Sequence, residues 1–138
     1  MEKVLIFTLG DERYGLEVAH IQEIVESPPL FYIPRAPGHY RGALNFHGTI
    51  LPVLDLPLYL GFSQAECGER VVVLPPSLGT LALAVTAIER IVPFESDSLL
   101  PVPQERLGHG YIRAALEREG DVINMLDIER LLTTLDQA

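Results

Sequence analysis

The chain of 138 residues holds a single cysteine, Cys67, which excludes an internal disulfide and any zinc cluster built on cysteine. Basic residues are also scarce. Ten lysines and arginines stand against nineteen aspartates and glutamates, a formal charge of −9, so the mean surface potential repels a phosphate backbone. Nucleic acid is not an expected partner. No basic or amphipathic cationic segment offers itself to an anionic membrane, and no uninterrupted apolar run approaches the roughly 20 residues of a membrane-spanning helix. The N-terminus runs straight into Val4-Leu5-Ile6-Phe7 without a basic leader. These features predict a soluble, cytoplasmic protein with no direct membrane binding.

Reactive constellations are missing as well. No serine sits in a G-x-S-x-G elbow, and Cys67 has an acidic neighbour in Glu66, a setting that disfavours the thiolate. Gly42 and Gly48 are isolated and no lysine follows them as in a phosphate-cradling loop. His20, His39, His47 and His109 lack H-x-H or H-x-x-x-H spacing; a histidine-metal hydrolase would need them to converge with Asp55, whereas loop and surface positions account for each more simply. The pairs Asp11 with Glu12 and Glu117 with Glu119 are expected in solvated turns. The expectation is a chain that is not an enzyme and takes no cofactor or metal.

What the chain does have is a core-forming composition, 48% apolar and 21% charged, without a biased tract, which predicts one folding unit over 1–138. Val4–Leu9 and Arg13–Val18 flank Gly10-Asp11-Glu12 as a hairpin. In Ala19–Val25 the spacing of Ile21, Ile24 and Val25 predicts a short helix, ended by Pro28-Pro29. Strands are expected over Tyr40–Asn45 and Thr49–Leu54, after which Asp55 caps a short helix ending at Gly61. Arg70–Leu74 and Leu81–Val85 flank a Pro75–Gly79 turn, and Ile88–Phe94 is extended. After a loop over Ser96–Arg106, Tyr111–Leu116 and Val122–Leu126 form a last hairpin around Glu119-Gly120-Asp121. Asp127 caps a closing helix whose buried stripe is Ile128, Leu131, Leu132 and Leu135. Nine or ten short strands, two or three short helices and no βαβ alternation predict a mainly β chain of closed or nearly closed barrels. No repeat is visible in the sequence.

Three stretches carry a resemblance: Phe7-Thr8-Leu9-Gly10-Asp11-Glu12-Arg13-Tyr14-Gly15-Leu16 with Ile21-Gln22-Glu23-Ile24; Gly42 through Leu56, with Asn45-Phe46-His47-Gly48 and Val53-Leu54-Asp55 inside it; and Ile123-Asn124-Met125-Leu126-Asp127 through Leu132. Together they resemble the CheW family over nearly the full chain. The resemblance implies a CheW-like fold of two small five-stranded β-barrels packed into one domain, with short helices and a C-terminal helix. It implies a non-catalytic adaptor that couples the cytoplasmic tip of a chemoreceptor to the regulatory domain of a CheA-type histidine kinase. The same fold could serve an array for pilus motility or development.

Matched to the family, Ile21, Glu23, Gly42, Asn45 and His47 are the implied partner-binding residues. Ile21 would be an apolar anchor beside the acidic Glu23, and Asn45 would also fix its loop through backbone hydrogen bonds. Gly15 and Gly42 mark tight turns or close backbone approach. Two positions depart from the family: His47 replaces the usual arginine, and Thr86 stands where aspartate is common. Both bear on partner specificity.

Overall fold

The computed structural model describes residues 2–62, 66–102 and 111–136. Its first sheet is built from β1 (Glu2–Leu9), β2 (Glu12–Glu17), β8 (Ala87–Phe94), β9 (Ile112–Arg118) and β10 (Asp121–Leu126), in the order β8-β1-β2-β10-β9. The second holds β3 (Glu23–Glu26), β4 (Tyr40–Phe46), β5 (Thr49–Asp55), β6 (Arg70–Val73) and β7 (Ala82–Ala84), in the order β3-β6-β7-β5-β4. Two short α-helices each follow a hairpin, α1 (Leu56–Tyr59) after β5 and α2 (Ile128–Asp136) after β10. No helix among the described residues is long and apolar enough to cross a membrane.

Continuous apolar runs become strands here because they are buried on both faces. In β1, Val4 and Ile6 point into a core private to the first sheet, with Val92, Phe94, Leu116, Ile123 and Met125. Leu5, Phe7 and Leu9 of the same strand point the other way, into a core shared with Val72 and Leu83 of the second sheet and with Leu74, Leu81 and Val85, which flank its strands β6 and β7. Val71, Val73, Ala82 and Ala84 in turn face the second sheet's own core, with Leu44, Leu51 and Val53. Each sheet therefore curls around its own interior, and the shared core joins the two. Ile128 and Leu131 of α2 are buried in that shared core, with Leu132 and Leu135 packed against it.

The barrels are curled but not laddered shut. Among the described residues no strand pairing joins β8 to β9 or β3 to β4. Single bridges span these seams instead, from Leu100 to Ala115 in the first barrel and from Phe31 to Ala43 in the second.

One expected element takes a different form. Ala19–Val25 is not a helix: Val18–His20 makes one 3₁₀ turn, and Glu23–Glu26 is the edge strand β3, antiparallel to β6 with Glu23 opposite Val73. Ile24 faces the shared core and Val25 the second barrel's interior. Burial on two opposite sides suits a strand, and a spacing of three and four residues imitated a helical face. The expected final hairpin and the capped α1 and α2 form as read, while the loop expected over Ser96–Arg106 opens with a 3₁₀ turn at Ser96–Ser98 and lies outside the described residues from 103 onward.

The two barrels share one topology. In both, an edge strand is followed by a hairpin and a capped helix, and the helix-bearing strand pairs parallel with an inner strand (β10 with β2, β5 with β7). Rows across the sheets correspond residue by residue. In the second barrel a row reads Gly42, Val53, Ala82, Val73, Glu23; in the first it reads Ala114, Met125, Gly15, Ile6, Arg90. The hairpins also match in detail. Each skips a residue in its ladder at an arginine, Arg41 or Arg113, and each ends in a two-residue turn with positive φ at both positions, His47-Gly48 and Glu119-Gly120.

Candidate docking surface

Gly42 and Glu23 stand at the two ends of one row across the second sheet, so the open seam of that barrel lies between them. The β4–β5 hairpin reaches over the seam. Its turn is type I′ in character, with φ 50° at His47 and 88° at Gly48, and the Asn45 side chain holds it by accepting the Gly48 N–H at 2.9 Å. His47 Nε2 then comes within 4.0 Å of Glu23 Oε1. The Phe46 ring lies against the imidazole, with ring centroids 4.4 Å apart.

Of the five residues implied as partner-binding, Glu23 and His47 are thus in direct reach of each other, and Asn45 shares the His47 turn. Ile21 lies two residues before Glu23, half-buried against the shared core, its N–H donated to Val18 O at 3.0 Å. Gly42 has a different part. It is buried with φ 147°, and a Cβ there would stand 2.7 Å from the carbonyl oxygen of Phe31. Glycine lets Phe31 cross the seam and exchange both backbone hydrogen bonds with Ala43, at 2.7 and 2.8 Å.

Sequence reasoning missed the apolar side chains around this seam. Phe31 is 56% and Ile50 58% exposed; register puts Ile50, Pro52, Ala43 and Phe31 on one face, since Pro52 pairs with Ala43, which bridges Phe31. The exposed Tyr32 follows directly in the chain. The signal was present as Pro29-Leu30-Phe31-Tyr32-Ile33, an apolar run after two prolines that had no place in a hairpin. The counterpart positions on the first barrel, Leu100 and Val122, are likewise exposed and apolar.

The remaining candidates settle into structural positions. Asp55 caps α1 by accepting the Leu58 N–H at 3.1 Å, and it lies 3.6 Å from Arg41. Thr86 accepts the Gly10 N–H on its hydroxyl at 3.0 Å, tying the β1–β2 turn to the β7–β8 connection. Gly15 is a close-approach residue: a Cβ would meet Val4 Cγ2 at 2.8 Å. Burial first, and then the Asp55 carboxylate, push the Cys67 thiol up to about 11. His39 packs in an aromatic group with Tyr40 and Tyr59, while Tyr59 stacks on Tyr111. Burial and the Tyr111 hydroxyl raise the Tyr59 phenol to about 12. His20 lies in the 3₁₀ turn, and His109 lies outside the described residues. Among the described residues no three histidine, cysteine or acidic side chains gather in a way that could hold a metal ion.

Comparison with known proteins gives this surface a family. The pattern of the CheW-like domain matches residues 3–136. Chemotaxis protein CheW of Klebsiella aerogenes is 26% identical over 141 residues, covering 99% of this chain and 85% of that protein. Protein FrzA of Myxococcus xanthus is 27% identical over 142 residues, covering 99% and 88%. In three dimensions the chain superposes on the scaffolding protein TtCheW of Thermoanaerobacter tengcongensis with a TM-score of 0.82 at 23% identity, over 91% of this chain and 88% of the other. With that pattern matched almost from end to end on two five-stranded sheets, the chain belongs to the family of CheW-like domains.

Proposed function

We propose that this chain is a non-catalytic adaptor of chemotaxis signal transduction, coupling chemoreceptor tips in the cytoplasm to the regulatory domain of a CheA-type histidine kinase. The observation that carries the reading is the seam of the second barrel. There the family-matched Glu23 and His47 meet at 4.0 Å, Ile21 and Asn45 lie two residues from them, and exposed Phe31 and Ile50 supply apolar area. Apolar anchors beside polar residues that set register are what a recognition surface requires. The shared core supports a further part of the reading, that residues 1–138 act as one unit.

The experiment is binding to the kinase regulatory domain and to a receptor-tip peptide hairpin, measured by calorimetry for the native protein and for Ile21→Asp. Loss of apolar contact and introduction of a charge should weaken binding about tenfold or more, with circular dichroism showing the fold retained. Native binding by a folded Ile21→Asp variant removes Ile21 from the interface, and absence of binding by the native chain overturns the reading. Incubation with phosphorylated kinase should leave this chain unlabelled. A second reading, an adaptor for pilus motility or development, is compatible with the equally extensive match to FrzA, and pull-downs against kinases of the two pathways separate them.

A further inference from the structure

Among the described residues each barrel carries one ion pair across the seam that its strands leave open, and the two pairs are positional counterparts. In the first barrel Arg90 of β8 meets Glu119 of the β9–β10 turn at 3.4 Å. In the second, Glu23 of β3 meets His47 of the β4–β5 turn at 4.0 Å. Glu23 and Arg90 end corresponding rows, opposite Val73 and Ile6. His47 and Glu119 are each the first residue of a two-residue turn, with φ 50° and 53°. The polarity is reversed between barrels, and only in the second is the cation an imidazole, a group that gains and loses its charge near physiological pH. Arginine keeps its charge throughout.

We propose that Glu23 and His47 form a proton-operated latch on the second barrel: protonated His47 draws the β4–β5 turn onto β3, and neutral His47 lets the turn go. The acid facing the imidazole from β3 is Glu23. Glu26, at the far end of that strand, is engaged by Arg70 of β6 at 3.0 Å. At this end the hairpin contributes Asn45 and Phe46, neither of which titrates, while its charged pair, Arg41 with Asp55 at 3.6 Å, sits at the opposite end. Attraction across the seam is therefore present when the imidazole is protonated and lost when it is neutral. One backbone bridge, Phe31 to Ala43, is the other tie across this seam among the described residues. The His47 and Glu23 side chains are 77% and 51% exposed, so screening by water limits the effect to about two- to threefold.

The consequence for docking rests on the adaptor reading, but the latch is measured on the free chain. Amide hydrogen exchange over Phe46–Thr49, corrected for the intrinsic pH dependence of exchange, is read at about pH 6 and 8. Turn protection should fall about two- to threefold between those pH values in the native protein. Glu23→Gln and His47→Ala should abolish the difference. Glu23→Arg combined with His47→Glu, which copies the first barrel's pair, should restore protection at both pH values. An unchanged native turn, or a change that persists in Glu23→Gln, overturns the latch. Kinase-domain affinity measured in parallel separates the two readings: a pH-dependent turn without binding sinks the adaptor alone, and binding with a pH-independent turn sinks the latch alone.

Discussion

Gly42 shows how a residue matched to a binding surface can act through the backbone. Its φ of 147° and the 2.7 Å approach of the Phe31 oxygen to the place of a Cβ mean that alanine both strains the chain and pushes Phe31 off the seam. Gly42→Ala should cost about 2 kcal/mol in denaturant unfolding. Gly48→Ala is the control: its φ is 88° but nothing stands within 4 Å of the added carbon, so only backbone strain of about 1 kcal/mol is expected. Equal losses for the two would remove the Phe31 contact from the account. Cys67 makes a different prediction, since its thiol is raised to about 11. At pH 8 alkylation by iodoacetamide should run on the order of a hundredfold slower in the folded protein than in urea, because the thiolate is the nucleophile. An equal rate would place Cys67 in water. The cysteine's inertness was legible from its acidic setting, but its main cause, burial, was not. The contact of Glu23 with His47 was hidden because the two residues are joined by a seam and not by sequence.

At the scale of elements, what the sequence showed well were segments whose signals are local. Asp55 and Asp127 were legible as caps because each precedes an apolar helical stripe, and each accepts the N–H three residues on, at 3.1 Å from Leu58 and 3.0 Å from Arg130. Strand β3 was misread because its two apolar residues serve two cores, a fact that only the second sheet supplies. The caps carry unequal consequences. Helix α1 is four residues long and α2 is nine, and α2 buries Ile128 and Leu131 in the core common to both barrels. Asp127→Ala should therefore lower stability by about 1 kcal/mol, while Leu131→Ala, which opens a cavity at a fully buried position, should cost about 3 kcal/mol. Urea titrations of both variants test the ranking; a costlier cap than cavity would mean that α2 is held by its first turn and not by its buried stripe.

The whole molecule is two copies of one design threaded in a permuted order, which no sequence period could reveal. The second barrel runs continuously as β3, β4, β5, α1, β6, β7, whereas the first is made of β8, β9, β10, α2 at the end of the chain and β1, β2 at its beginning. Written from β8 onward and closed back to β1, the first barrel has the order of the second. Side-chain identity has drifted while the skeleton has stayed: Ala82 answers to Gly15 and Glu23 to Arg90 in corresponding rows. This equivalence predicts that the chain tolerates circular permutation. In the second barrel residues 60–69 carry the chain from α1 to β6, so a flexible linker of about ten residues should span the corresponding path from α2 to β1. A permutant that begins at Gln22 and ends at Ile21, joined through such a linker, would place both barrels in tandem with the same strand order. Its new ends fall between the 3₁₀ turn and β3, where one backbone bond, Gln22 N–H to Val73 O at 2.8 Å, must survive at a terminus. We expect native-like circular dichroism and a single cooperative urea transition, with stability lowered by about 1–2 kcal/mol for the frayed ends. Residues 22–86 alone should not fold stably, because the shared core would lose Leu5, Phe7, Leu9, Tyr14 and Leu16 to an exposed face. A permutant without a cooperative transition would show that the covalent path through β2 into β3 is needed for folding and that the likeness of the barrels is one of shape alone.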